Sequence, residues 1–410
     1  MGGFAESDRL RIALLTYRGN PFCGGQGVYV RQLSAALTRL GHSVEVLSGQ
    51  PYPELVPGVK LTKLESLDLY RPEEPFRPAR PPRDWIDAVE LSTMSISGFP
   101  EPFTFSLRAW RELRGRLHEF DVVHDNQGLG YGLLPLGRRL PLVATIHHPI
   151  SVDRRLELER ASGFRKVTLR RWYAFTRMQR RVARRIPKLA TVSESSRKDI
   201  ARDLGLPPDR LVTIPLAVDA ESFRPLERSR DEDLLVATAS ADVPLKGVAT
   251  LLEALARVRA QRAARLVVVG RPRPNGATGK LVAKLGLDGA VRFVRGVPET
   301  ELVELYSQAT LAIVPSLYEG FSLPALEAMA CGVPLIATTA GALPEVVGSA
   351  GVLVPPGDAE ALAGALLKLL DDANLRRKLG EGGRLRAVGE FSWRRTAERT
   401  VDLYREAAAC

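Results

Sequence analysis

Short apolar runs alternate with longer amphipathic stretches along this chain, and that rhythm predicts its elements. Runs at 10–16 and 44–47 read as buried strands. Between them a glycine-rich loop at 19–27 leads into a helix, with Val30, Leu33, Leu37 and Leu40 on one face and Gly41 as its stop. Strand, loop, helix, strand is a βαβ unit and implies parallel pairing. Further strands are predicted at 121–124, 142–147, 189–193 and 212–215. After a polar, charged stretch at 224–233 the pattern restarts, with strands at 234–239, 265–270, 291–294, 311–315 and 334–337. Two amphipathic helices follow within 357–388, and a last one covers 392–409. Residues 51–102 are rich in proline and poor in periodicity. They read as an insertion that shapes a pocket rather than carrying the sheet.

The fold class this predicts is α/β, with two doubly wound parallel-sheet, Rossmann-like domains facing across a cleft. A chain of 410 residues exceeds one ordinary core. The expected divisions are one Rossmann-like domain at 1–217, a second at 218–390, and a final helix at 391–410. Ligands bind open α/β sheets at the carboxyl ends of their strands.

Composition narrows the class. Hydrophobic residues make up 45% and charged residues 26%, which is globular rather than disordered. No apolar run approaches the roughly 20 residues that span a bilayer, and the opening residues lack the basic start and cleavage site of a signal peptide. Cys23, Cys331 and Cys410 are too scattered for a disulfide framework or a zinc site and fit a reducing cytoplasm.

The net charge of +11 is concentrated in residues 165–186, with nine basic side chains and no acidic one. Read as one helix, this segment puts Phe175, Met178, Val182 and Ile186 on an apolar stripe and Arg170, Arg177, Arg181 and Arg184 on another face. Such a helix suits an anionic membrane surface, with Trp172 or Tyr173 at the interface. It also suits a plain surface helix packed on its own domain. No nucleic-acid module accompanies the patch, so no nucleic-acid partner is expected. The location expected is cytoplasmic and peripheral on the inner face of the membrane.

Residues 318–327, YEGFSLPALE, carry the densest chemistry. Ser322 can cap a helix, and Pro324 sits where a missing N–H costs nothing. The N–H groups of Gly320, Phe321, Ser322 and Leu323 then lie at the positive end of the helix dipole, which suits a phosphate or diphosphate. Glu327 lies about one turn in, and a carboxylate there can accept two hydrogen bonds from a vicinal diol such as ribose. Glu319 precedes the turn. The same residues also describe an ordinary capped helix with solvated glutamates.

Together with other motifs, this segment makes the chain resemble the retaining glycosyltransferases of family 4, which have the GT-B architecture. The resemblance covers nearly the full length. It is carried by CGGQGVYV, GHSVEV, ATIHH, TVSESSR, PLAVDAESFRP, PLKG, the two glutamates eight apart, ACGVPLIATTAGALPEVV, VLVPPGD and a closing FSW. It implies that Glu327 binds the ribose of a nucleotide-sugar donor and that Glu319 lies by the hydroxyls of the transferred sugar. Lys246 would hold the diphosphate, and Gly24 and Gly25 would approach it through backbone. His147 would contact the sugar near the reacting carbon, and backbone at Val297 would hold the base. His147, Glu319 and Lys246 are the catalytic candidates; His124 and His148 read as structural.

The resemblance implies no metal and no cofactor, because Lys246 and the helix N-terminus would stabilise the departing nucleoside diphosphate. It attributes retention of configuration to same-face attack, and no nucleophile is assigned. UDP-sugar is expected over GDP-sugar, with a membrane lipid or a small soluble metabolite as acceptor. The acceptor pocket would draw on residues 24–29, 99–110 and 125–127. The alternatives are a nucleotide-sugar epimerase of the same architecture, a sugar phosphorylase, or a non-catalytic nucleotide-binding protein.

Two positions depart from the family pattern. An arginine commonly stands five residues before the lysine, where this chain has Ala241, and Leu216 with Ala217 replaces a common Asn-Gly. Arg271, with Arg273 behind it, is the candidate replacement cation. Arg271→Ala is therefore expected to depress donor turnover far more than Arg257→Ala on the neighbouring helix. Equal, small effects in a steady-state assay would retire that assignment.

Overall fold

The computed structural model describes residues 9–20, 25–71, 74–270 and 272–410. The chain divides into two compact units, one formed by 1–214 with 393–410 and the other by 215–392.

In the first unit the strands are β1 (Arg11–Thr16), β2 (Ser43–Ser48), β3 (Lys60–Lys63), β4 (Val122–Asn126), β5 (Leu142–Ile146), β6 (Lys188–Thr191) and β7 (Leu211–Thr213). All pair in parallel, in the order β3-β2-β1-β4-β5-β6-β7. Nearly every residue of the central strands is buried, as a parallel sheet covered on both faces requires. The helix Gln26–Arg39 lays Val30, Leu33 and Leu37 on this sheet.

The second unit holds β8 (Leu234–Thr238), β9 (Arg265–Val269), β10 (Val291–Val294), β11 (Leu311–Val314), β12 (Leu335–Thr338) and β13 (Val352–Val354). They form a parallel sheet in the order β10-β9-β8-β11-β12-β13. Leu251, Leu252 and Leu255 of the helix Val248–Arg259 share a core with Leu366 and Leu369 of the helix Ala359–Asp371. Both sheets reverse direction of growth between their first and fourth strands, and that switch point is where open α/β sheets take ligands.

Residues 51–102 differ from expectation, because β3 adds an edge strand to the sheet. Its pairing is polar: Thr62 Oγ1 donates to Glu45 Oε1 at 2.6 Å, and Lys60 Nζ meets Glu45 Oε2 at 2.9 Å. A strand held by charge and hydroxyl groups leaves no apolar run to read. The rest of the insertion is pinned the same way. Arg108, on the helix Glu101–Leu113, is 3% exposed and reaches Asp87 and Glu90 of the helix Trp85–Ser95, each at 2.6 Å.

The basic segment also departs from the one-helix reading. It forms two helices, Gly163–Trp172 and Phe175–Ala183, broken at Tyr173 and Ala174. Met178, Val182 and Ile186 enter the core of the first unit, as the apolar stripe required. Arg170 stands on a different helix from Arg177 and Arg181. Trp172 packs on Phe99, ring centres 5.0 Å apart, and Tyr173 is buried, so neither is placed to float at a lipid interface.

The final helix, Trp393–Ala408, belongs to the first unit and packs on the helix Gln26–Arg39 and on β5 and β6. Its Tyr404 hydroxyl meets His124 Nδ1 at 2.7 Å, while His124 Nε2 meets Thr145 Oγ1 at 2.8 Å. Burial lowers the His124 pKa to about 3, so the ring is neutral and structural. Tyr404→Phe leaves a buried ring nitrogen unpaired and is expected to cost about 1–3 kcal/mol. Urea unfolding checks this, and an unchanged midpoint would show that the bond does not anchor the helix.

Candidate active site

In the second unit the geometry grows from two adjacent strands. Past β11 the chain passes Ser316 and turns at 318–322 before the helix Leu323–Ala330. Ser322 is the N-cap, with Pro324 in the first turn, and its hydroxyl accepts from the N–H of Ala325 at 3.4 Å. Its φ of 96° is one that a non-glycine residue rarely adopts. Such strain persists only where surrounding structure imposes it, and it concentrates at ligand sites. Phe321 buries its ring against Phe391, 5.8 Å between centres, which leaves only its backbone to meet a ligand.

Past β8 the chain makes a single 3₁₀ turn, Pro244–Lys246, that ends at Gly247 with φ 62°. A Cβ at Gly247 would stand 1.9 Å from the Pro315 carbonyl oxygen, so only glycine lets this turn lie against the end of β11. The result is contact between the two candidate groups. Lys246 Nζ donates to Glu319 Oε1 at 2.8 Å, and the Ser316 hydroxyl donates to the same oxygen at 2.7 Å. An ammonium has three donors, so Lys246 keeps this bond with two left for an anion. The sequence pointed to Lys246 and Glu319 but not to Ser316, whose role shows only in the fold. Gly341 holds the other side: a Cβ there would fall 2.2 Å from the Glu319 carbonyl oxygen.

Glu327, half-buried on the same helix, has its carboxyl pushed up to about 7, first by burial and then by Glu299. Glu299 opens the helix Glu299–Gln308 just beyond the half-buried Val297. The Val297 loop and Glu327 therefore share one neighbourhood. Glu299 and Tyr306 escaped the sequence reading, although the Tyr306 hydroxyl bonds Thr238 Oγ1 at 2.9 Å and is turned toward the start of the Glu327 helix. Ala241 is buried, and its carbonyl accepts from the Thr278 hydroxyl at 2.8 Å, so no cation stands at that position. Arg271 lies outside the described residues.

In the first unit His147 follows β5. Its N–H donates to Gln127 Oε1 at 2.8 Å, and Nε2 lies 2.6 Å from Asn126 Oδ1. The tautomer follows from the network. The Thr16 hydroxyl donates to the Arg18 carbonyl at 2.8 Å, so it accepts from Asn126 Nδ2 at 3.3 Å. Asn126 Oδ1 is then an acceptor, and His147 carries its proton on Nε2. Burial lowers the ring's pKa to about 3 and keeps it neutral, leaving Nδ1 as an acceptor. Tyr29 meets the ring edge-on at 4.5 Å. Gly25 caps the helix Gln26–Arg39 at φ 67°, with open space where a Cβ would point. Gly24 and Cys23 lie outside the described residues. His148 bonds Asp153 at 2.7 Å.

Two Rossmann-like parallel sheets, each with charged and polar groups at its switch point, are the GT-B architecture. Known proteins agree. The model for Glycosyltransferase Family 4 matches residues 23–222, and that for Glycosyl transferases group 1 matches residues 219–386. The MMP alpha-(1->4)-mannosyltransferase of Mycolicibacterium hassiacum is 54% identical over 98% of this chain and 99% of its own. The D-inositol 3-phosphate glycosyltransferase of Saccharomonospora viridis is 30% identical over 97% and 94%. Among solved structures, sucrose-phosphate synthase from Thermosynechococcus elongatus superposes with a TM-score of 0.75 at 25% identity, over 98% of this chain and 100% of that one. The chain belongs to the family 4 glycosyltransferases.

The raised Glu327 carboxyl has a consequence for stability. An acid held more protonated when folded than unfolded favours the fold at low pH. That contribution is lost as pH rises from the ordinary carboxylate range through about 7. Glu327→Gln is expected to lose less thermal stability than wild type between about pH 5 and about pH 8. Parallel pH dependences of melting for the two proteins would contradict a half-buried carboxylate whose ionisation costs stability.

Proposed function

We infer that the enzyme moves a mannose-type hexose from a nucleotide-sugar donor to a lipid or small-molecule acceptor, with retention of configuration and without a metal. The observation that carries this reading is the Lys246–Glu319 contact beside a capped helix N-terminus, at the switch point of β8 and β11. In this reading the diphosphate lies on Lys246 and on the N–H groups of Gly320, Phe321, Ser322 and Leu323. Glu319 receives the sugar hydroxyls, ionised Glu327 the ribose diol, and the Val297 loop the base. Mannose is favoured by the mannosyltransferase relative.

The bond from the anomeric carbon to the diphosphate oxygen breaks, and Lys246 and the helix N-terminus stabilise the growing charge. The acceptor hydroxyl adds to the same face of the anomeric carbon, and its proton passes to the departing diphosphate. His147 Nδ1 accepts from a hydroxyl of the transferred sugar. Arg271 supplies a second cation in place of the residue missing at Ala241. Contact with an anionic membrane is supported by Phe164, 81% exposed, and by the exposed Val167, Arg165 and Arg171 around it.

The test supplies GDP- and UDP-linked mannose and glucose with candidate acceptors, with and without a chelator, and reads the product's anomeric configuration by NMR. Retained configuration, indifference to chelation and a roughly 100-fold or greater loss in Lys246→Ala are expected. An inverted product or activity abolished by chelation would overturn the mechanism. An isomerised nucleotide sugar formed without acceptor would favour the epimerase.

A further inference from the structure

Apart from the groups placed above, the first unit contains a cavity of about 390 Å³. The helices Ile150–Arg160, Gly163–Trp172, Phe175–Ala183 and Glu194–Leu204 contribute its walls. Arg154, Arg170, Arg177 and Arg180 all line it. Among the described residues, no carboxylate pairs with any of these four guanidinium groups. The neighbouring arginines are engaged instead: Arg181 donates to the Tyr131 hydroxyl at 3.1 Å and Arg184 to the Leu204 carbonyl at 2.8 Å. One carboxylate, Asp203, is itself part of the lining, but it and the neighbouring Asp153 are committed elsewhere. Asp153 holds His148 at 2.7 Å, and Asp203 holds Arg202 at 3.1 Å and accepts from the Ser151 hydroxyl.

The four guanidinium groups are solvent-exposed and outnumber Asp203, the carboxylate that also lines the hollow, so an anion entering it meets a net positive charge. The planar guanidinium fork matches the paired oxygens of a phosphate or carboxylate. The cavity also adjoins His147. Gln127 forms part of its lining, and the same side chain accepts from the His147 N–H at 2.8 Å and donates to the His148 carbonyl at 3.2 Å. A ligand filling the cavity therefore lies one side chain away from the histidine assigned to the reacting sugar. The volume is within the range of small-molecule sites.

We propose that this cavity seats an anionic group of the acceptor, a phosphate or a carboxylate, held by Arg154, Arg170, Arg177 and Arg180. The acceptor is then a sugar or polyol bearing that group, either free or as a lipid headgroup. This assignment rests on the transferase reading for the word acceptor, while the anion site itself is tested apart from it.

Titration calorimetry on the full chain uses a hexose 6-phosphate, the matching neutral hexose, a hexuronate, and vesicles with or without phosphatidylinositol. An anionic hexose is expected to bind at least about tenfold more tightly than the neutral one. Arg177→Ala with Arg180→Ala should weaken it about tenfold or more, and Arg177→Lys with Arg180→Lys should recover part of the loss. Binding of phosphatidylinositol vesicles alone assigns the anion to a lipid headgroup, and binding of free hexose phosphate alone assigns it to a soluble metabolite.

Equal affinity for neutral and anionic hexose overturns the proposal. So does phosphate binding that survives the alanine pair unchanged, which would trace it to Lys246 instead. Nucleoside diphosphate binding by the variant shows that it is folded; if the alanine pair unfolds, Arg154→Ala and Arg170→Ala answer the same question. Failure of the wild type to bind nucleoside diphosphate would sink the donor reading and leave the anion result standing.

Discussion

Everything assigned to the donor half depends on how closely two turns can approach at the carboxyl ends of β8 and β11. Gly247 sits against the Pro315 carbonyl with no room for a side chain. That approach brings Lys246 to Glu319 at 2.8 Å. The ion pair, with Ser316 on the same carboxylate oxygen, keeps a cation and an anion in register before any ligand arrives. Preorganisation of this kind is where such sites draw most of their stabilising power, because little rearrangement is left for the moment of reaction. The strained Ser322 cap, fixed by Pro324 and by the buried Phe321, serves the same end.

The first unit uses different chemistry to reach a comparable rigidity. Its histidine is held by a chain of neutral hydrogen bonds through Asn126 and Thr16, with the direction of each donor set by the next. The ring is neutral and its tautomer fixed, so it can act by accepting and orienting rather than by shuttling protons.

The arginine-lined cavity adds a theme to the charge balance. Where the chain uses arginine for stability, as at Arg108 or Arg116, each guanidinium is met by carboxylates. Among the described residues, the four around the cavity are not. These four are exposed around a hollow, which leaves them available to a ligand that brings its own negative charge. The basic segment that stood out in the sequence is thus two elements with two uses: an apolar stripe that completes the core, and cations turned into a hollow.

Much of this was legible from the chain alone, for a physical reason. A buried parallel strand must be apolar on both faces, so β1, β5, β8, β9 and β11 announce themselves as runs. A capped helix start needs particular residues at fixed offsets, so Ser322, Pro324 and Glu327 could be placed by counting. What the sequence could not carry was anything held by polar pairing between distant segments. The edge strand β3 hangs on Glu45, Trp172 and Phe175 on either side of the helix break pack on Phe99, and Glu299 reaches Glu327 only once two helices are side by side. The switch points, the tautomer of His147 and the grouping of four arginines from separate turns were decided by tertiary structure, because each depends on which strands become neighbours and not on the order in which they are written.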